Sequence, residues 1–446
     1  MSRLKILAVA IVLAAVAFEC VTVYVLRTPQ SPFNQAPASL VAQLEGDVYI
    51  QRLGDCVACH SAPKGTPFAG GLKMNSPLGA IYSTNITPDR KTGIGNYTLA
   101  EFDNAVRRGV ARDGHRLYPA MPYPSYAKMS DEDVRKLYDY FMHVVRPVRQ
   151  ENRPPDIPLP LRARWPLALW NLAFVNDTRY VNKPEHDAVW NRGAYLVQGL
   201  GHCGSCHTPR GVAFQEKGFD ESSTTYLGGA VLDGWYASNL RGDERGGLEN
   251  WSEADIASFL KTGRNAHATV YGSMLDVFNN STQFMSDADL AAVARYLKSL
   301  PASRASMSSS RSESSTTVAL EQGNFSARGS AIYMERCASC HATSGGGRGG
   351  LLAPLVANPS ITGDDSSSLI NIILNGSPAP VVDGVPGSYR MPAFRALLSD
   401  QDVADVATFV RAGWGNDSSP VIEKQARELR GTTKKAEIRS FTLPAN

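Results

Sequence analysis

The sequence predicts an all-α fold built as three tandem domains, and two repeats carry that prediction. The pentapeptide Cys-x-x-Cys-His occurs at residues 56–60, 203–207 and 337–341 and takes six of the chain's seven cysteines. A second signal follows each copy: Ser130-Asp131-Glu132-Asp133-Val134, Ser286-Asp287-Ala288-Asp289-Leu290 and Ser399-Asp400-Gln401-Asp402-Val403. Each reads as a helix start, because the serine hydroxyl accepts an otherwise orphaned backbone N–H and the carboxylates lie at the positive end of the helix dipole. Apolar residues then recur at helical spacing, at Val134, Leu137 and Phe141, at Leu290, Val293 and Leu297, and at Val403, Val406 and Val410. A length of 446 residues suits about three ordinary domains.

The pentapeptide has its own chemistry. Two thiols at this spacing add to the two vinyl groups of one porphyrin, and the adjacent imidazole then lies under the iron as proximal ligand. Three copies therefore imply three covalent haem c groups, held by Cys56 and Cys59, Cys203 and Cys206, and Cys337 and Cys340, with His60, His207 and His341 on the irons. A structural zinc site would pair each Cys-x-x-Cys with a second pair of ligands nearby, and none follows. Short helical stretches such as Gly193-Ala194-Tyr195-Leu196 and Gly329-Ser330-Ala331-Ile332-Tyr333 run towards the second and third copies. A helix entering Cys-x-x-Cys-His and a later helix packed across it resembles the class I cytochrome c domain, which implies long haem-wrapping loops.

In chain order, residues 1–35 read as an export segment. Arg3 and Lys5 precede an apolar run from Ile6 to Phe18 that resumes over Val21 to Leu26. Ala15-Val16-Ala17 offers a small-x-small cleavage site, while the whole run 6–26 is long enough for an uncleaved membrane anchor; both remain open. The basic flank places the rest outside the cytoplasm, on the periplasmic side of a bacterial inner membrane. Residues 40–148 form the first domain, 149–185 a structured connector containing Trp165-Pro166-Leu167-Ala168-Leu169-Trp170, and 186–301 the second domain. Residues 302–322 read as a serine-rich flexible linker, 323–416 as the third domain and 417–446 as a polar tail. The first two domains share an insertion: Tyr82-Ser83-Thr84-Asn85-Ile86 matches Tyr236-Ala237-Ser238-Asn239-Leu240, each followed by a helix that stops near Gly109 or Gly263. A net charge of +3 gives no reason to expect nucleic acid.

The sixth ligand separates an electron carrier from a haem that binds small molecules. After His341 the chain holds no other histidine and a single methionine, Met391. The corresponding loops carry Met121, in Tyr118-Pro119-Ala120-Met121-Pro122-Tyr123-Pro124, and Met274, in Tyr271-Gly272-Ser273-Met274. Met74, Met129 and Met285 read as packing residues, whereas His115 and His267 stand close enough in sequence to compete as ligands. No dinucleotide loop, phosphate loop or His-Glu-x-x-His motif is present, so no catalytic residue is assigned.

Asp55-Cys56-Val57-Ala58-Cys59-His60, the Tyr-Pro-Ala-Met-Pro-Tyr-Pro stretch, Trp165-Pro166-Leu167 and Gly201-His202-Cys203-Gly204-Ser205-Cys206-His207-Thr208-Pro209-Arg210 together resemble the triple-haem cytochrome c subunits of bacterial membrane-bound dehydrogenases. The resemblance implies a partner: a catalytic subunit of quinoprotein, flavoprotein or molybdenum type, acting on alcohols, aldehydes, gluconate, fructose or sorbitol. It also implies ubiquinone, or a terminal oxidase, as the electron acceptor. Two other readings stay open on the residues alone, a self-contained multihaem peroxidase or reductase and a free-standing donor to an oxidase.

Overall fold

The computed structural model describes residues 26–34, 44–76, 78–304, 313–435, 437 and 439–443, with isolated positions 12, 16 and 19. The chain is mostly helical and repeats one arrangement three times. The helix Leu44–Leu53 runs into the short helix Cys56–Cys59, and Asp131–Asp139 packs across the entering helix. Ala188–Tyr195, Gly204–His207 and Asp287–Lys298 repeat the pattern, as do Ser330–Arg336, Ala338–His341 and Asp400–Ala412. At the second crossing the backbones touch, since a Cβ on Gly193 would stand 1.9 Å from the carbonyl oxygen of Ala292.

The three helix starts form as the spacing predicts. Ser130, Ser286 and Ser399 each accept the N–H of the residue three positions on, Asp133, Asp289 and Asp402. Tyr49 Oη accepts the Ser286 N–H at 3.1 Å, which ties the first entering helix to the second closing helix. Ser286→Ala is expected to lower stability by about 1 kcal/mol, the usual cost of losing a serine cap, read as a lower urea midpoint without a change of slope.

Although the sequence separates 40–148 from 186–301, their buried side chains form one continuous cluster. Leu53, Val57, Phe68, Leu137 and Phe141 join Trp190, Leu200, Trp251 and Leu297 in it. Polar bridges cross the same seam: Tyr49 Oη donates to Asp289 at 2.6 Å, a carboxylate that Arg192 of the second set also holds, and Tyr195 Oη donates to Asp133. The third set keeps its own core around Tyr333, Ile370, Val406, Phe409 and Trp414. It leans on the second set through hydrogen bonds, the Tyr236 N–H to Ser368 Oγ at 2.8 Å and Gln283 Nε2 to the Val381 carbonyl at 2.9 Å.

Two segments depart from expectation. Within the stretch read as a flexible linker, Glu313–Glu321 is helical; Leu320 is buried in the third core and Thr316 Oγ1 accepts the Trp414 N–H at 3.0 Å, so serine content hid two packing contacts. The tail read as merely polar forms the helix Glu423–Thr432, anchored by buried Ala426 and by Arg430 on Asp400 at 2.6 Å. Beyond it, Arg439 donates to the carbonyl of Ala58, 381 residues away in sequence, at 2.7 Å, and Phe441 packs on the shared core. The proposed cleavage site, Cys20 and residues 305–312 lie outside the described residues, save Val16. Among the described residues no helix is long and apolar enough to cross a membrane.

Candidate functional site

Each pentapeptide lies on a single helical turn, which places the two thiols and the imidazole of one motif together. None of the six thiols is in a disulfide. Burial pushes the Cys56 and Cys203 thiols up to about 12 and Cys337 to about 11, so all three are protonated at neutral pH.

The three imidazoles share one geometry. His60 Nδ1 lies 2.8 Å from the Thr84 carbonyl oxygen, His207 Nδ1 lies 2.7 Å from that of Ser238, and His341 Nδ1 lies 2.9 Å from that of Ala353. A carbonyl only accepts, so Nδ1 carries the proton and donates, leaving the Nε2 lone pair for a metal. Burial holds all three rings below the ordinary histidine value, opposed by the carbonyl bond, and keeps them neutral. Neutral, oriented imidazole beside two free thiols is the donor set that covalent haem c requires, and the residues fit the group.

The carbonyls come from local structure that the sequence reading treated only as a shared insertion. In the first two sets an antiparallel hairpin precedes them, Lys73–Ser76 with Gly79–Tyr82 and Ala230–Leu232 with Trp235–Ala237. Thr84 and Ser238 follow at equivalent places. Opposite them a glycine donates its N–H back to the histidine carbonyl: Gly70 to His60 at 2.7 Å, Gly229 to His207 at 2.8 Å and Gly347 to His341 at 3.1 Å. Gly70 has φ +78°, and a Cβ there would lie 2.5 Å from the Thr84 carbonyl carbon. Gly70→Ala is therefore expected to destabilise the chain by about 1–2 kcal/mol from the left-handed backbone alone, with the overlap adding to it. A lowered denaturation midpoint together with an altered potential at one haem checks this.

The methionines fall out differently. Met391 lines one cavity with Cys337, Cys340 and His341, walled by Leu352, Ile361 and Phe394. Its backbone is pinned to Ser377 by two hydrogen bonds of 3.1 Å, N–H to carbonyl in both directions. Met121 sits in a tight turn, its carbonyl accepting the Tyr123 N–H at 2.8 Å, and packs against the shared core. Met274 opens the helix Ser273–Asn280 and packs with Val270, Leu275 and Phe278. Met129 and Met285 are buried in the shared core, as their reading as packing residues requires. His267 stacks on Trp251 with centroids 5.2 Å apart and its Nε2 lies 3.5 Å from Asp255, whereas His115 Nδ1 pairs with Asp113.

The sites are also arranged relative to one another. The helix Cys56–Cys59 packs against the helix that begins with Ser273 and Met274, while Thr269, Val270 and Tyr271, just before Met274, line the third cavity. The second set thus lies between the other two. A larger polar cleft of about 770 Å³, lined by Asp243, Arg245, Arg304, Asp364 and Arg411, contains neither thiol nor imidazole.

Comparison with known proteins gives the family. Residues 326–414 match the cytochrome c family model, so a cytochrome c domain is present. The chain is 50% identical over 403 residues to the gluconate 2-dehydrogenase cytochrome c subunit of Pantoea cypripedii, covering 89% of this chain and 91% of that one. It is 46% identical over 388 residues to the cytochrome c subunit of the alcohol dehydrogenase (quinone) of Gluconobacter oxydans (strain 621H), covering 86% and 81%. It is 36% identical over 426 residues to the fructose dehydrogenase cytochrome subunit of Gluconobacter japonicus, covering 89% and 84%. At these identities over most of both partners' lengths, the chain belongs to the family of dehydrogenase cytochrome c subunits.

Proposed function

We propose that this chain is a three-haem electron-transfer subunit, carrying electrons from the catalytic subunit of a periplasmic membrane-bound dehydrogenase to ubiquinone or the respiratory chain. The observation that supports it most is the threefold recurrence of one imidazole geometry, Nδ1 fixed on a carbonyl and Nε2 free beside two thiols. Haem c supplies one-electron oxidation and reduction when bound. The chain's own residues do the rest. Cys56, Cys59, Cys203, Cys206, Cys337 and Cys340 would hold three such groups covalently, and His60, His207 and His341 with Met121, Met274 and Met391 would supply the iron ligands. Methionine opposite histidine raises the reduction potential, which suits accepting electrons from a dehydrogenase rather than activating oxygen. The middle position of the second set makes it the relay between the other two. Substrate chemistry then belongs to the partner, of quinoprotein, flavoprotein or molybdenum type.

Purification from native membranes, with a haem count by pyridine haemochrome and reduction by gluconate, ethanol or fructose, tests the reading. Three haems per chain and a co-purifying dehydrogenase whose substrate reduces them are expected. Fewer haems, or a lone chain that binds carbon monoxide when reduced, would overturn it.

A further inference from the structure

The helix Pro166–Phe174 is built inside out for a helix on a water-facing surface. Trp165, Leu169 and Leu172, spaced i, i+4 and i+7 along one face, are 63%, 48% and 59% exposed. Its inner face holds by small and polar groups: Ala168 is 2% exposed, Asn171 Oδ1 accepts from Tyr123 Oη at 2.7 Å, and Asn171 Nδ2 donates to the Arg108 carbonyl at 3.0 Å. Trp170 Nε1 donates to the Ala213 carbonyl at 2.8 Å, which sets fully exposed Val212 and half-exposed Phe214 beside the helix. Val212 and Phe214 therefore flank the helix on its Trp170 side, while Trp165, Leu169 and Leu172 form the exposed stripe.

The course of the chain identifies what covers it. Residues 6–26 are the apolar run with the length of a bilayer core, and its last residue, Leu26, is 46% exposed. The next residue, Arg27, is held where its carbonyl accepts from Arg116 at 3.0 Å, and the Arg116 carbonyl in turn accepts from Arg164 at 2.9 Å. Arg164 immediately precedes Trp165. The apolar run therefore leaves the folded body at the start of the exposed helix, beside a tryptophan of the kind that membrane–water interfaces favour.

We propose that the face formed by Trp165, Leu169 and Leu172, with Val212 and Phe214, seats in the headgroup layer of a phospholipid bilayer. The helix then lies in the plane of the interface rather than spanning it. Asn171 is bonded to Tyr123, two residues from Met121, and Trp170 to Ala213, six residues after His207, so this orientation brings the first and second sites towards the membrane. The proposal rests on the reading of the chain as a membrane electron-transfer subunit, but its test involves no electron transfer, so the two fail separately.

The test uses the haem-loaded full chain in a Cys20→Ser background, with a nitroxide at Leu169→Cys, Leu172→Cys or Val212→Cys, and a control at Val385→Cys on the third set's hairpin. Collision rates with oxygen and with a water-soluble nickel chelate are measured with and without phosphatidylcholine–phosphatidylglycerol vesicles. Expected is a several-fold fall in nickel access and a rise in oxygen access at the three test positions on binding vesicles, with the control unchanged. Nickel access that stays high in the vesicle-bound chain would overturn the proposal. Shielding that tracks protein concentration without lipid, or that arises only with the dehydrogenase subunit, would overturn it by showing a protein occupant instead.

Discussion

Met391→Leu is expected to open one of the three haems proposed for this chain while leaving the fold intact. Leucine nearly conserves methionine's volume, so the cavity it shares with Cys337, Cys340 and His341 stays filled and the 3.1 Å backbone bridge to Ser377 is untouched. What is removed is the thioether sulfur. Roughly one-third of the far-red sulfur-to-iron charge-transfer absorbance is then lost in the oxidised protein. The reduced protein acquires carbon monoxide binding at one haem per chain, and one step of a redox titration shifts downward. Met129→Leu, at a fully buried packing position, changes none of these. Unaltered absorbance in Met391→Leu would show that another group ligates the third iron.

The parts of this protein that could be read from the chain are those in which a side chain's identity carries the function. Thiols and imidazoles announce themselves by spacing, and the serine caps at Ser130, Ser286 and Ser399 do so by the acidic residues that follow. What stayed hidden is carried by backbone atoms. Thr84, Ser238 and Ala353 orient the histidines with carbonyl groups that every residue has, and only the left-handed glycines opposite them, within Ala69-Gly70-Gly71, Gly228-Gly229 and Gly345-Gly346-Gly347, left a trace in the sequence. Contacts of very long sequence separation were hidden for a related reason. Nothing local to Arg439 indicates that it reaches Ala58, and nothing local to residues 40–148 or 186–301 shows that their apolar faces meet in one core. Composition misled most where a few anchors outweigh many polar neighbours, as Leu320 and Thr316 do within the serine-rich stretch.

Asp103→Ala is expected to destabilise the shared core strongly. Asp103 and Arg107 are both completely buried and paired on one helix, and the same carboxylate takes Arg108 Nη1 at 2.5 Å. Arg107 continues to the Met129 carbonyl at 3.1 Å and to Asp131 at 2.6 Å, joining the helix Leu99–Arg108 to the segment between the Met121 turn and the Ser130 cap. Removing the carboxylate leaves two guanidiniums in a place where water cannot replace it, and breaking a buried pair from one side costs about 3–5 kcal/mol. Because the first two sets share a core and the third has its own, the loss should appear in one unfolding transition only. The transition reporting Trp190 and Trp251 moves to lower urea, and that reporting Trp414 does not. Acid should weaken the same network from its outer end. Burial pulls the Asp131 carboxyl upward, but Arg107 and Arg179 outweigh it and hold the group below its ordinary value. Its contribution is therefore present above the unfolded carboxylate's pKa and is lost as pH falls through the folded one. A uniform fall of both transitions in Asp103→Ala would show instead that the two cores unfold as a single unit.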